Sequence, residues 1–298
     1  MNFKPSAFFI LFFLHEYSVM IIHKIIPGTF KLDGGATFGV VPKTLWSKAY
    51  PADENNLCIF ALRLLLIETG DRKILIDTGI GNKQTEDFYK HYFREGHHSI
   101  EKALEEKGFS ADSITDVLLT HLHFDHVGGA VKIDESGNSI PTFQNARYHV
   151  SRKQWEWAME PNQREKASYL KENLLPLENS GLIDFIEYEG EYFSGISIRF
   201  FSGHTDGLIV PFIHYQDKTL VYTNDLLALS AHIPASWVCG FDTRPLISFE
   251  ERNGLLQEAF RNNYYLVFQH DHYTECCTLK NTEKGIRKDK EFKLEELL

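Results

Sequence analysis

The sequence has few cysteines, no excess of basic residues and no apolar run long enough to cross a bilayer. Its four cysteines show no CxxC spacing, and Cys276 and Cys277 are adjacent, a spacing that rarely permits a disulfide between the two. A disulfide-stabilised scaffold is therefore not expected. The simplest inference is a reducing compartment, the cytoplasm.

The charge balance argues against a nucleic-acid partner. The 298 residues carry 31 Lys and Arg against 41 Asp and Glu, which gives a formal net charge of -10. No basic run offsets this charge, so a phosphate backbone would be repelled. The hydrophobic content of 43% is high enough for a large buried core. These values indicate a globular protein that does not bind nucleic acid.

The amino-terminal segment is apolar but short. Residues 7–14, AFFILFFL, fall far below the about 20 residues that a membrane-spanning helix needs, so no membrane span is expected. The run follows Lys4 as in a signal peptide, but no small-x-small cleavage pattern comes after it. The regular strand pattern begins only near residue 20. We expect residues 1–19 to be an extension outside the fold, with a secretory signal as the alternative.

Strand-rich and helical segments alternate from residue 20 onward. Two β-rich runs flank residues 69–72, which is a hairpin signal, and Ser99 is the predicted N-cap of a helix over residues 99–107. Helices are also predicted over residues 151–159 and 248–261, the second with a capping box of Ser248 as N-cap and Glu251 three residues later. Strands are predicted over residues 116–120, 183–201, 208–215, 219–223 and 264–268. With no linker or short repeat, residues 20–298 are predicted to form one domain of two sheet-then-helix halves.

Histidines and aspartates that suit a metal site follow four of the predicted strands. The stretch THLHFDHVGG begins at Thr120, directly after an apolar strand. In extended backbone His121 and His123 point the same way, so both imidazoles can reach one ion, whereas the turn at Asp125 and His126 directs those side chains toward a second ion. Strand ends on one rim of a sheet converge in space. The later clusters that join this motif are centred on His204, Asp225 and His270.

The order and spacing of these residues resemble the metallo-β-lactamase superfamily. Asp77-Thr78-Gly79 matches an early element of that superfamily, and Asn224 before Asp225 departs from its commoner Gly-Asp form. The resemblance implies an α+β fold, a four-layer αββα sandwich, with two divalent metal ions. It implies that one ion is held by His121, His123 and His204, the other by Asp125, His126 and His270, and that Asp225 bridges them.

A site with two ions implies hydrolysis. Two ions about 3.5 to 4 Å apart share a water, lower its pKa toward about 7 and polarise the oxygen of the bond that breaks. Imidazole and carboxylate donors favour zinc, and manganese, iron or cobalt are compatible with the same set. We expect Asp125 to be catalytic, steering the bridging hydroxide and passing a proton to the leaving group. Asp77 either orients a ligand or is a buried turn aspartate that accepts backbone amides.

Several assignments leave alternatives. His272 stands two residues after His270 and competes with it for the metal, although His270 comes first after the strand. His232 and Trp237 follow Asp225 closely enough for their loop to line the substrate pocket, and a packed loop is the alternative. The aromatic residues 88–93 are either a lid or part of the core. The sequence does not specify an oligomeric state.

The motif also bears on the substrate. Phe124 within it and the ending Phe268-x-His270 are most similar to the acyl-homoserine lactonase and organophosphate hydrolase branches, which predicts a small carboxylic ester or lactone. Ala228 stands where those lactonases place a substrate-contacting tyrosine, so phosphotriesters, and then thioesters, are the alternative substrates. Phosphodiesterases of the ribonuclease Z type and β-lactamases fit poorly because of the acidic charge and the ligand set. A metal-dependent binding protein without turnover is the alternative of a different class.

Overall fold

A computed structural model describes residues 20–298 of the chain. The predicted extension at residues 1–19 lies outside the described residues and stays a prediction. The strands of the described part are β1 Met20–Ile25, β2 Gly28–Asp33, β3 Leu57–Ala61, β4 Leu64–Thr69, β5 Arg72–Ile76, β6 Glu95–Gly96, β7 Asp116–Leu118, β8 Val131–Ile133, β9 Ser139–Pro141, β10 Arg147–Ser151, β11 Ile183–Ile186, β12 Gly190–Phe193, β13 Ile196–Phe201, β14 Leu208–Tyr215, β15 Lys218–Tyr222, β16 Tyr265–Val267, β17 Cys276–Thr282 and β18 Gly285–Phe292.

The helices are mostly short, and the longest lies late in the chain. None of those found in residues 20–298 has the length and apolar character needed to cross a membrane. Ser99 accepts a hydrogen bond from the Lys102 backbone N–H, as predicted for an N-cap. The helices are α1 Gly34–Phe38, α2 Lys43–Trp46, α3 Glu86–Tyr89, α4 Ile100–Glu105, α5 Phe124–Val127, α6 Arg152–Met159, α7 Lys171–Ser180 and α8 Pro245–Arg261.

Six strands from the first half form a mixed sheet in the order β1-β4-β5-β7-β10-β11. β4 and β5 pair antiparallel with Thr69 opposite Arg72, which confirms the predicted hairpin. β5, β7, β10 and β11 run parallel. β4 is apolar at successive positions because both of its faces are buried: Leu64 and Leu66 face the helices, and Leu65 and Ile67 face the second sheet.

Seven strands from the second half form the second sheet, in the order β12-β13-β14-β15-β16-β17-β18. Neighbours pair antiparallel except β15 and β16, which run parallel and are connected through α8. Leu255 and Leu256 of α8 pack on the outer face of this sheet, against Val210 and Val221. The helix therefore covers a face that would otherwise expose apolar residues.

The two sheets pack face to face, with helices outside both. One apolar cluster fills the space between the sheets, where Ile67 and Ile74 meet Ile198 and Ile213. A second cluster joins the first sheet to α4, α6 and α7, and a third joins the second sheet to α8. The predicted αββα sandwich is confirmed.

The start of α8 differs from the prediction. Helix α8 begins at Pro245, and Ser248 lies inside it, buried, rather than at its N-cap. Proline at the first helical position has its φ already fixed and lacks only an N–H that would have no partner there. Glu251, the other half of the predicted capping box, instead accepts the backbone N–H groups of Ser202 and Gly203. The side chain thus supports the loop that leads to the predicted ligand His204.

Candidate metal centre

The predicted site residues follow strands that end at the same edge of the sandwich. In the first sheet Asp77 follows β5 and His121 comes after β7, and these two strands are parallel. In the second sheet His204 follows β13, Asp225 lies after β15 and His270 after β16. β13 runs in the same direction as β15 because both pair antiparallel with β14. The side chains that follow these strands therefore come together at one edge of the sandwich, between the ends of the two sheets.

The turn that separates His123 from His126 depends on close backbone packing. His123 is the N-cap of the short helix α5, which contains Asp125 and His126 and is followed directly by Gly128. A Cβ at Gly128 would lie 2.1 Å from the carbonyl oxygen of Ile80, a distance that no side chain tolerates. Glycine is thus required for the motif to lie against the loop after β5.

Four side chains form the first group of facing donor atoms: His121, His123, His204 and Asp225. Nδ1 of His123 lies 3.1 Å from Nε2 of His121 and 3.1 Å from Nε2 of His204. Oδ2 of Asp225 lies 3.2 Å from Nε2 of His204. All four side chains are buried, with His121 fully so.

Three side chains form the second group: Asp125, His126 and His270. Nε2 of His126 lies 3.2 Å from Nε2 of His270, and Oδ2 of Asp125 lies 3.6 Å from Nε2 of His126. Asp225 reaches this group as well, since its Oδ1 lies 3.0 Å from Nε2 of His270. Asp225 thus stands between the two groups.

Each histidine of the second group donates its outer N–H to an acceptor in the protein. Nδ1–H of His126 donates to Oδ2 of Asp77 at 2.9 Å, and Nδ1–H of His270 donates to the Ala61 carbonyl at 2.9 Å. Asp77 also accepts the backbone N–H of Thr120 at 2.8 Å. Asp77 therefore combines the two predicted roles: it accepts a backbone amide at the turn, and it orients the ring of His126.

The same pattern holds in the first group, through residues that the sequence did not reveal. Nε2–H of His123 donates to Oε1 of Glu165 at 2.9 Å, and Nδ1–H of His204 donates to Oδ1 of Asp242 at 3.0 Å. Nδ1 of His121 lies 3.2 Å from the Thr120 hydroxyl. In the neutral imidazoles these bonds fix the outer N–H and leave the lone pair on the inward nitrogen, which is the tautomer a metal ion requires.

The donor set fits two metal ions. Two nitrogens bound to one tetrahedral zinc lie about 3.3 Å apart for Zn–N distances near 2.05 Å. The nitrogen separations of 3.1 to 3.2 Å agree with that value. Oδ1 of Asp225 is buried and has no hydrogen-bond partner among residues 20–298. A buried carboxylate oxygen without a donor is costly unless a cation binds it.

The carboxylates of the cluster favour positive charge at two of its histidines, His126 and His204. Burial lowers the pKa of His204, but the charge of Asp225 and its hydrogen bonds to Asp225 and Asp242 outweigh burial and raise this pKa to about 10. Burial lowers the pKa of His126 too, and Asp125, Asp225 and Asp77 raise it well above its usual value. Burial and the neighbouring histidines hold the pKa of His121 well below its usual value. A field that draws protons onto histidines also draws metal ions.

A cavity of about 310 Å³ opens onto both groups. Its floor contains the buried residues His123, Asp125, His204, Asp225 and His270. The rest of the lining consists of apolar and aromatic side chains on one hand and a smaller polar set on the other. The apolar and aromatic residues are Leu32, Phe60, Tyr92, Phe124 and Phe241, and the polar residues are Arg164, Glu165, Ser168 and Thr243.

Two residues predicted for the pocket, His232 and Trp237, lie outside the cavity lining, and so does His272, the competitor of His270. His232 is fully buried: its Nε2 is 3.1 Å from the Thr37 carbonyl and its ring packs against Phe38, so it does not line the cavity. Trp237 packs into the same aromatic cluster, outside the cavity lining. The pocket assignment is therefore corrected to a packed loop for both. His272 is exposed and belongs to neither donor group, whereas His270 does.

The aromatic segment at residues 88–93 contributes to both the core and the cavity. Phe88 packs edge-on against Phe124, and Tyr89 is buried with its hydroxyl donating to the Gly81 carbonyl at 3.1 Å. Tyr92 packs on Phe124 and lines the cavity. Phe88 and Tyr89 thus belong to the core and Tyr92 to the cavity wall, whereas Phe93 is exposed.

Comparison with known proteins places the chain in a family. Residues 64–270 match the model of the metallo-β-lactamase superfamily. The chain belongs to the metallo-β-lactamase superfamily. Among curated members, an N-acyl homoserine lactonase from Bacillus cereus is 28% identical over 237 residues, which cover 72% of this chain and 83% of the lactonase.

Solved structures of the superfamily superpose on most of the molecule. A probable metal-dependent hydrolase from Staphylococcus aureus has a TM-score of 0.82 and 31% identity, covering 93% of this chain and 98% of the other. The dizinc quorum-quenching lactonase AidC, in complex with its product, has a TM-score of 0.77 and 20% identity, covering 94% and 97%. The chain is accordingly a metal-dependent hydrolase of this superfamily.

Proposed function

We propose that the protein is a dinuclear metal hydrolase that acts on a small carboxylic ester or lactone, with zinc as the favoured metal. The main support for this proposal is the position of Asp225 between two groups of metal-binding side chains. In both groups the outer ring nitrogen of each histidine has a hydrogen-bond partner in the protein. His121, His123 and His204 would hold one ion, Asp125, His126 and His270 the other, with Asp225 shared. Manganese, iron or cobalt are compatible with the same donors.

The proposed reaction divides between the ions and the chain. Two bound ions would supply an activated water at neutral pH and polarise the scissile carbonyl. Asp125 lines the cavity at its floor, and we assign it the transfer of a proton to the leaving oxygen. Burial and the charge of Asp125 raise the pKa of Tyr92 to about 12, so the tyrosine hydroxyl stays protonated and can donate a hydrogen bond to a substrate oxygen.

The cavity supports a small substrate with an apolar portion. Its volume of about 310 Å³ and its aromatic lining are typical of sites for small organic molecules. The relative from Bacillus cereus is named for lactone hydrolysis, and this supports an ester or lactone. Ala228 is fully buried in the aromatic cluster and offers no hydroxyl to the cavity, which favours a phosphotriester as the second candidate.

The cysteines support a reducing environment. All four are unpaired and buried. We therefore propose the cytoplasm as the compartment.

Hydrolysis assays on the metal-loaded protein test the proposed function. The substrates are a lactone, a carboxylic ester, a thioester and a phosphotriester, and we expect the lactone or the ester to give the highest kcat/KM. Asp225→Ala should lose bound metal and lower kcat/KM by at least about a hundredfold, because both ions lose a shared ligand. Asp217→Ala, in the exposed turn between β14 and β15, is the control and should retain both.

The alternative of a binding protein gives a different pattern. A protein that holds metal and ligand without chemistry would turn over none of the four substrates, even as the wild type with its full metal content. Such a result would contradict the proposed hydrolase.

A further inference from the structure

The cation Arg164 lines the cavity and forms no ion pair with any carboxylate among residues 20–298. It is exposed, whereas the histidines and aspartates on the cavity floor are buried, so its guanidinium lies at the mouth. In a chain of net charge -10, an arginine beside a cavity without an acidic partner needs an explanation.

The adjacent carboxylate of Glu165 is occupied by other donors. Its Oε1 accepts from His123 at 2.9 Å and from the Tyr169 hydroxyl at 2.8 Å. Its Oε2 accepts from the Trp157 indole N–H at 2.7 Å. Both oxygens thus point into the protein, and Glu165 is not available to pair with Arg164.

The neighbouring arginine shows the contrast. Arg244 also lies near the mouth, next to the lining residue Thr243, but its Nη1 is 2.8 Å from Oδ1 of Asp206 and its guanidinium stacks over Trp157. Its charge is therefore balanced within the protein. Within residues 20–298 the side chain of Arg164 has a carbonyl partner alone, that of Gly240, to which its Nη2 donates.

Arg164 is held in place without using its full donor capacity. The side-chain oxygen of Asn162 accepts the backbone N–H of Arg164 at 2.9 Å and that of Glu165 at 3.1 Å. The next residue is anchored on His123, so the backbone position of Arg164 is tied to the metal centre. Gly240, whose carbonyl accepts from Arg164, precedes the lining residue Phe241 in a different segment of the chain. The guanidinium therefore joins two segments that line the cavity and keeps its other N–H groups free for a carboxylate.

We propose that Arg164 binds a carboxylate on the substrate, at the end remote from the scissile bond. The preferred substrates are then esters or lactones whose acyl portion ends in a carboxylate. Their apolar middle would contact aromatic lining residues such as Phe60 and Phe241. This inference rests on the proposed hydrolase function and adds the charge of the substrate to it.

Two matched substrate pairs test the inference. The lactone pair is N-glutaryl- and N-pentanoyl-homoserine lactone, and the ester pair is mono-4-nitrophenyl glutarate and 4-nitrophenyl pentanoate. Within each pair a carboxylate replaces a terminal methyl group. We expect wild-type kcat/KM to be at least about tenfold higher for the carboxylate member on the scaffold that is turned over. Raising the ionic strength should reduce this ratio, because a charge pair at an exposed mouth is screened.

Variants assign the preference to one side chain. Arg164→Gln should reduce the ratio at least about tenfold, mainly through KM, and Arg164→Lys should give an intermediate ratio because it keeps the charge but loses the planar fork. Lys166→Gln removes an exposed charge two residues away that does not line the cavity, and it should keep the wild-type ratio.

The possible failures are distinct. Equal kcat/KM for both members of a pair in the wild type would overturn the inference and leave the hydrolase function standing. Equal losses for both members in Arg164→Gln would do the same, and would show that Arg164 acts only through its hydrogen bond to Gly240. If the metal-loaded protein turns over neither member of the lactone pair and neither member of the ester pair, the proposed function and this inference are overturned together.

Discussion

Glu165 connects the predicted ligand His123 to the body of the protein. Its carboxylate accepts the outer N–H of the histidine, and burial, which raises its pKa, is outweighed by His123, so that this pKa falls to about 2. The carboxylate is therefore charged at neutral pH and makes the imidazole a stronger donor to a metal.

Neutralising this carboxylate should weaken metal binding. Glu165→Gln is nearly isosteric but lacks the charge, and we expect metal affinity to fall about 10- to 100-fold. Titration of the metal-free protein with zinc, monitored by calorimetry, measures the change. Glu160→Gln, an exposed position on the same loop, should bind as the wild type does. Unchanged affinity in Glu165→Gln would show that the contact does not support the metal centre.

The sequence indicated the inner residues of the site but not their supports. His121, His123, Asp125 and His126 are close in the chain, so their spacing alone predicted a shared function. Glu165 lies 42 residues from His123 and Asp242 lies 38 residues from His204, and neither stands in a recognisable motif. His232 shows the opposite error, because it is near Asp225 in the sequence but does not line the cavity. Its ring points instead toward Phe38.

At the level of elements, the close approach of α5 and the loop after β5 shapes the centre. Gly128→Ala would place a methyl group against the Ile80 carbonyl, and we expect a loss of about 1 to 3 kcal/mol in unfolding free energy together with reduced metal content. Gly254→Ala is the matched control, since no described side chain or loop comes within 4 Å of a Cβ added to this exposed glycine in α8. It should stabilise the protein by about 0.5 to 1 kcal/mol. Urea unfolding of both variants measures the difference, and equal effects would contradict the packing argument.

A buried carboxylate ties β1 to the end of the chain. Glu275 accepts from Lys24 at 2.8 Å and from the Leu294 backbone N–H at 3.0 Å. Burial raises its pKa, but these hydrogen bonds outweigh burial and lower it from 4.5 to about 2. A lowered pKa in the folded state means that the contribution to stability is complete above pH 4.5 and declines as the pH falls toward 2.

Removal of this charge should therefore have a pH-dependent effect. At pH 7 we expect Glu275→Gln to lower the unfolding free energy by about 1 to 3 kcal/mol, and this difference should shrink below about pH 4.5. Urea unfolding of wild type and variant at pH 7, 5 and 3.5 measures it, with Glu283→Gln in the exposed turn between β17 and β18 as control. A difference that is constant over this range would rule out the assigned role.

Local sequence signals predicted most of the helices and strands. They failed where a contact with a residue distant in sequence determines the structure. The hairpin at Thr69 and the cap at Ser99 depend on neighbouring residues, and both were predicted correctly. The start of α8 was misplaced because Ser248 and Glu251 match a capping box, while Glu251 is used by a loop 48 residues away in sequence. A local pattern does not reveal such a competing partner.

For the whole molecule, the metal centre joins the two halves of the sandwich. The first sheet leads to His121, His123, Asp125 and His126, and the second sheet supplies His204, Asp225 and His270. Each donor group contains residues from both halves. Bound metal should therefore stabilise the folded protein as a whole, in addition to its role in hydrolysis.

The most direct test of this account is the metal content of the purified protein, measured by elemental analysis alongside lactone and ester hydrolysis. We predict about two divalent ions per chain, loss of hydrolysis and a lower Tm after chelation, and recovery of both when zinc is restored. Fewer than about one ion per chain after metal loading, or undiminished hydrolysis in fully chelated protein, would contradict the two-metal centre.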